Sequence, residues 1–252
     1  MLFKEQKDRM NYKYYIKQKL IYLYSFLNSS NRSKVIFYHD LHLDKLNTSM
    51  STHIELFKQH INIIKDFNYE IVQNITSNTG QVQICFDDGY SGIYEFIDVI
   101  QELDVYINLF VISSKINCPN FLSKQQLVDI SLSSYVNIHS HTHTHRRLNL
   151  LSYEDLILEL KKSKVLLEDI VSKEIDSLCF PEGRYSSHVV NVAFECGYTK
   201  LYSSLPGFNN ILSKNNIIRR SLVQHSSKSE FNSILKGGDN FLYHWYKLQH
   251  KS

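Results

Sequence analysis

The chain has 252 residues, 43% of them apolar and 21% charged, a balance that excludes a disordered or fibrous protein and leaves enough length to close a sizeable core. Lys and Arg number 28 against 25 for Asp and Glu, and this surplus of three, with no long basic run, gives no electrostatic footprint for nucleic acid. The four cysteines, Cys85, Cys118, Cys179 and Cys196, show no CxxC spacing and read as reduced thiols rather than a disulfide framework.

In chain order, the first segment is a helix. No apolar stretch approaches the roughly 18 residues that a membrane span needs. Lysine-rich residues 1–19 lead into Leu20 to Leu27, the order found in a signal peptide. That apolar run holds two tyrosines and a serine, however, and it reaches Asn28 without a small-x-small cleavage site. An amphipathic helix fits better, with Tyr12, Ile16, Leu20 and Tyr24 on one face and Lys13 and Lys17 on another. Residues 1–33 are therefore expected to form a helical extension packed on the domain, the alternative being a basic helix resting on a membrane surface. The matching localisation is cytoplasmic, beside the membrane in the second case. An N-terminus that is an export signal after all would place the chain outside.

From residue 34 onward, short β-branched or aromatic runs alternate with longer segments of helical period. The strands expected are 35–38, 82–86, 105–112, 136–139, 178–180, 201–203 and 217–219. The helices expected are 52–66, 91–103, 123–130, 152–171 and 187–196, and the 241–246 stretch reads as a closing helix. Thr52 with Glu55, Ser123 with Gln126 and Ser152 with Asp155 resemble helix N-caps. Seven strands interleaved with helices predict one α/β domain over 34–252, a distorted (β/α) barrel of about seven strands with extra N-terminal and C-terminal helices. An open doubly wound sheet is the alternative. In a barrel, reactive side chains gather at the C-terminal ends of several strands.

Three motifs do so. The run from Ile84 ends in Asp87-Asp88-Gly89-Tyr90, where adjacent carboxylates point to opposite sides, although Asp-Asp-Gly alone is equally good turn chemistry. After the strand at Val136 come His139, His141, His143 and His145, and neutral imidazole is the commonest nitrogen ligand for zinc and similar metals. If the segment turns there, His141 and His145 at i and i+4 can converge on one ion while His143 points elsewhere; with one aspartate they make a three-ligand site with an open position for water. The third motif, Pro181-Glu182-Gly183-Arg184-Tyr185, ends another strand, and such a turn can present a backbone N–H to an oxyanion or be an ordinary strand-to-helix connection.

Together and in this order, the motifs resemble the polysaccharide deacetylase family, the NodB-homology domain of carbohydrate esterase family four. The family's Thr-Phe-Asp-Asp-Gly is similar to Cys85 to Gly89, its Ser-His-Thr-x-x-His to Ser140 to His145, and its Pro-Tyr-Gly turn to Pro181 to Gly183. The likeness covers roughly residues 35 to 225. It implies that Asp88, His141 and His145 bind one divalent metal, zinc in most members, and that Asp87 is the general base. The N–H of Glu182 would help the metal hold the oxyanion, and Tyr90, Pro181, Gly183 and Tyr185 would line the substrate site. The implied reaction is removal of N-acetyl groups from an N-acetylated oligo- or polysaccharide or glycoconjugate, with release of acetate. A catalytically silent carbohydrate-binding member and a different metal-dependent amidohydrolase are the competing readings.

The chain departs from the family pattern in four places, the first being His139, which stands where a glycine usually precedes the metal-binding motif and is a candidate additional ligand. Glu182 stands where many members have an aromatic residue. Cys179 stands where some have an arginine two residues before the proline, so the arginine that orients the base is expected to be Arg184 or Arg220. The late Leu-x-His motif, source of the general acid, has no clear counterpart, with only His225 and His244 nearby in sequence. The turn at Pro206 to Asn210 is expected either to line the cleft or to be a plain loop.

Overall fold

The computed structural model describes residues 2–209, 217–243 and 245–246, with side chains from residue 15 onward. A long helix, α1 (Leu2–Leu27), leads into β1 (Lys34–Tyr38), the small parallel pair β2 (Asp40–His42) and β3 (Ser51–His53), and α2 (Ile54–Asp66). β4 (Glu70–Ile71) and β5 (Gln81–Phe86) follow, then the short helices α3 (Gly92–Glu95) and α4 (Ile97–Glu102), and β6 (Ile107–Val111). Next come α5 (Lys124–Ser131), β7 (Val136–Ser140), α6 (Tyr153–Val171), β8 (Ser177–Cys179), α7 (Ser187–Glu195) and β9 (Lys200–Tyr202). The edge strands β10 (Ile217–Ile218) and β11 (Ser221–Leu222) precede α8 (Lys228–Leu235).

The main sheet runs β10-β9-β8-β7-β6-β5-β1-β11, with β4 paired to the start of β5, and its pairings are all parallel. It is a curled half-barrel with helices outside, the expected (β/α) architecture. Alternation of side chains along a strand splits the core in two. Ile36, Tyr38, Ile84, Phe86 and Leu109 pack outward under the helices, whereas Val35, Phe37, Cys85, Phe110, Cys179 and Tyr202 fill the interior of the curl. Both faces are covered, which is why β1, β5 and β6 are buried at every residue. Parallel pairing also places the ends of β1, β5, β7 and β8 on one rim.

The seven expected strands form, and four more were not anticipated: β2, β3, β4 and β11 have two or three residues each, too few for a period to show. The 52–66 helix begins later than expected. Thr52 belongs to β3 and donates its hydroxyl to Gln224 O at 2.9 Å, so His53, whose Nδ1 accepts from the Glu55 N–H, caps α2 instead. The 91–103 helix breaks at Phe96, whose φ of −111° leaves the helical region. α8 was missed. α1 packs differently from the expected face: Ile21 and Ser25 are buried and Tyr24 meets Phe241, while Ile16 and Leu20 face solvent. In the Pro206 turn, Phe208 is buried, with Lys34 over its ring at the start of β1. That is the far end of β1 from the rim, so this part of the turn is core rather than cleft lining; Asn210 lies outside the described residues.

Candidate active site at the C-terminal rim

Asp87 extends β5 by one step, its N–H bonding Tyr38 O at 3.0 Å. The chain then turns sharply, with Asp88 at φ 72° and Gly89 at φ 84°. Asp88 Oδ1 comes to 3.5 Å from His141 Nε2 and 3.8 Å from His145 Nε2, and the two imidazole nitrogens are 3.2 Å apart. The histidines converge through a left-handed turn rather than a helix, because Thr142 and His145 have φ of 66° and 63° and the His145 N–H bonds Thr142 Oγ1. Asp88, Thr142, His145 and Glu182, at φ 55°, place four strained non-glycine residues around one site. The loop is held by Glu159 of α6, buried, which accepts from both the N–H and the hydroxyl of Thr144 and lies 3.7 Å from Arg146.

His141 Nδ1 donates to Cys179 O at 3.0 Å, which leaves the lone pair on Nε2, facing Asp88 and His145. Burial lowers its pKa to about 4, despite the nearby Asp87 carboxylate, so it is neutral at physiological pH. Asp88, His141 and His145 thus bring three ligand atoms within 4.8 Å of one another. Two imidazole lone pairs facing one carboxylate oxygen at this spacing suit a divalent cation of the zinc kind, and the residues present fit such an ion.

Asp87 sits behind this cluster in a different environment. Arg220 is wholly buried and grips it with two 2.7 Å bonds, Nη1 to Oδ1 and Nη2 to Oδ2. Burial alone raises the Asp87 pKa, but the guanidinium outweighs it and holds the carboxyl at about 2. Arg220 is itself fixed by a 3.0 Å bond from Nε to Ser203 O and by the face of the Phe37 ring, 4.4 Å away. The Cys179 thiol lies 2.9 Å from Arg220 Nη2 and 3.7 Å from Asp87. Between the two arginines named from sequence, the structure chooses Arg220: Arg184 reaches outward to pair with Glu182 at 3.2 Å and is not at Asp87.

Glu182 is exposed and also pairs with Arg147 at 2.9 Å, so its side chain turns away from the carboxylates while its backbone forms the turn. Pro181 and Gly183 are buried, and a Cβ on Gly183, at φ 67°, would lie 2.6 Å from Ser204 N. Tyr90 follows Asp88 and Gly89 and stacks on Phe121 at 4.5 Å, half-buried at the rim. Tyr185 instead stacks on Phe180 at 5.0 Å and packs against the core. His143 bonds Ser113 Oγ at 2.8 Å, and His139 bonds Asn108 Oδ1 at 2.8 Å inside the curl, so neither joins the cluster.

One rim residue escaped the reading of the sequence. His39 follows the last residue of β1, one step from Asp87 across the sheet, and is close enough that its charge bears on that carboxylate. Its Nδ1 donates to Gln224 Oε1 at 2.6 Å. The signal was the run Val35 to His39, a buried strand ending in a polar residue like the one that ends in Asp87. His225 is exposed, and His244 lies outside the described residues.

A curled parallel sheet bearing two carboxylates and two histidines at its C-terminal rim defines a (β/α)-barrel protein with a donor set that fits one divalent ion. The family model described as polysaccharide deacetylase matches residues 74–201, about half of the sequence, and the chain belongs to that family. A curated relative, YxkH of Bacillus subtilis (strain 168), whose name places it among the polysaccharide deacetylases, is 23% identical over 162 residues, 60% of this chain and 58% of YxkH. The chain thus matches somewhat over half the length of that relative. Among solved structures, IcaB from Ammonifex degensii superposes with a TM-score of 0.73 at 15% identity, over 83% of this chain and 99% of that one. A polysaccharide deacetylase from Bacillus cereus gives 0.71 at 22% identity, over 81% and 69%. The Streptococcus pyogenes deacetylase PplD, in complex with acetate, gives 0.71 at 17% identity, over 81% and 98%. These likenesses establish the fold.

Proposed function

We propose that residues 34–252 form one catalytic domain that removes N-acetyl groups from an N-acetylated sugar in a polysaccharide or glycoconjugate and releases acetate. The observation that carries this reading is the pairing of two unlike carboxylates, Asp88 facing two imidazoles and Asp87 held ionised by Arg220. Asp88, His141 and His145 would hold a divalent ion, zinc being the choice that their nitrogen and oxygen donors favour. Such an ion supplies Lewis acidity toward a carbonyl oxygen and a bound water.

The chain's own residues do the proton work. Asp87, ionised and locked in a bidentate grip, accepts the proton of the attacking water as the new C–O bond forms. The Glu182 N–H, in its left-handed turn, steadies the negative oxygen. His39, on the neighbouring strand, gives a proton to the departing nitrogen as the C–N bond breaks, leaving acetate and a free amine on the sugar. Gln224 fixes the His39 ring by accepting from Nδ1, so Nε2 is the nitrogen turned to substrate. Tyr90 supplies a ring at the rim for a sugar to stack on.

Acetate release from N-acetylglucosamine oligomers, measured beside metal content, tests this function. Asp87→Asn should lower kcat roughly a hundredfold to ten-thousandfold with the metal retained. His141→Ala should lose both metal and release. Metal binding without acetate from any acetylated glycan would overturn the proposal.

A further inference from the structure

α1 leaves most of its apolar residues outside the contact with the domain. The residues facing the domain are largely polar: Gln18 Nε2 donates to Glu230 Oε2 at 2.9 Å, Lys17 Nζ to the Tyr246 hydroxyl at 3.3 Å, and Ser25 is buried beside Ile21. Ile21 is buried and Tyr24 packs on Phe241, but the other apolar residues from Tyr15 to Leu27 face solvent. Ile16, Leu20, Leu23 and Leu27, spaced i, i+4, i+7 and i+11, form one stripe that is 40–68% exposed, with Tyr22 and Phe26 beside it at 61% and 76%. A contiguous apolar face of this kind marks an interaction surface.

Charge says what covers it. Residues 1–27 hold six Lys or Arg against two Asp or Glu, a surplus of four, whereas the remainder of the chain holds 22 against 23. The whole positive balance of the protein therefore lies in the helix with the exposed apolar stripe. Two such helices would repel each other, which disfavours a second copy as the occupant. An anionic lipid surface satisfies both features, since leucines and aromatic rings enter the headgroup boundary while lysines meet lipid phosphates. Lys19, whose ammonium lies 5.3 Å from the Tyr15 ring centroid, shares this face and has the length to reach from the apolar layer to the headgroups. No described helix is long and apolar enough to cross a membrane, so the mode is lying on the surface.

We propose that α1 docks the protein on an anionic membrane through its outward face. The rim chemistry is independent of this docking. The test is cosedimentation of the full chain with phosphatidylglycerol-containing vesicles and with pure phosphatidylcholine vesicles. Binding to the anionic vesicles should be roughly tenfold or more stronger and should weaken with added salt. Leu20→Ser with Leu23→Ser should reduce binding by at least roughly tenfold, and Lys13→Glu with Lys19→Glu should abolish the preference for anionic lipid. An unchanged melting temperature in both double variants shows that the fold is intact. Equal binding to both vesicles, no binding, or binding that the leucine changes leave untouched would overturn the proposal. So would a dimer in sedimentation velocity that Leu20→Ser with Leu23→Ser dissolves while vesicles go unbound, since the stripe would then be a self-association surface.

Discussion

Asp87-Asp88-Gly89 and the histidine tract from His139 to His145 each lie at the end of a strand, which is why the convergence of Asp88, His141 and His145 could be expected from the sequence. Arg220 was not separable from Arg184 by sequence, because it reaches Asp87 from 133 residues away through the interior of the curl. The small Cys179 thiol, 2.9 Å from Arg220 Nη2, leaves room beside Asp87 for a guanidinium that comes from the sheet edge. Arg220→Ala would leave Asp87 buried without its cation, at a cost of about 3–5 kcal/mol. It would also release the carboxyl upward from about 2, so the acidic limb of the pH–rate profile should move to higher pH. A profile that stays in place would refute the positioning role even if stability fell. A second residue-level expectation concerns His60, fully buried between the Tyr38 hydroxyl and Ser226 O, each at 2.9 Å. Burial lowers its pKa to about 4 from the 6.5 of an exposed imidazole. Between those values the unfolded chain takes a proton that the folded one refuses. The His60 contribution is therefore complete above pH 6.5 and declines as pH falls toward 4, by up to ~3 kcal/mol. Denaturation midpoints measured from pH 7 to pH 4.5 should fall less steeply in His60→Gln than in wild type.

Elements were legible wherever a cap and a period agreed. Ser123 and Gln126 form the reciprocal capping box of α5, and Ser152 Oγ accepts the Asp155 N–H at the start of α6. Thr52 with Glu55 had the same spacing yet failed, because pairing of β3 with β2 claims Thr52 for a strand. α8 was missed although Ser227 and Glu230 spell the same signature. Its eight residues are too short for periodicity to stand out, and Ser227 Oγ caps it by accepting the Glu230 N–H at 3.3 Å. Ser227→Ala should cost about 1 kcal/mol, seen as a melting temperature about 2–4 °C lower. An unchanged melting temperature would mean that packing alone sets the start of α8. The N-terminal helix shows the limit of patterning: a four-residue spacing placed Ile16 and Leu20 on one face as it should, but nothing in one sequence says whether that face meets the domain or something else.

At the scale of the molecule, the feature least visible in sequence is how the two ends of the chain close the sheet. β11, late in the chain, pairs in parallel with β1, the first strand of the sheet, and delivers Arg220 and Gln224 to the rim beside Asp87 and His39. No local pattern marks a two-residue strand. The same closure is tied at the opposite end of β1, where Lys34, wholly buried, pairs with Asp239 at 2.6 Å just beyond α8. Asp239 depends on that lysine: its other carboxylate oxygen is buried and has no partner among the described residues. Lys34→Met should therefore strand a buried carboxylate and cost about 3–5 kcal/mol in urea unfolding, and Asp239→Leu should strand the ammonium at a similar cost. Changing both should recover most of the loss, because two apolar side chains can pack where neither charge could stand alone. Singles that each cost under about 1 kcal/mol would mean that water relieves the site and that the clamp does not hold the sheet closed. Because β1 and β11 bring His39 and Arg220 to the rim, the proposed acetate release should also fall in the singles, and the double change should restore it.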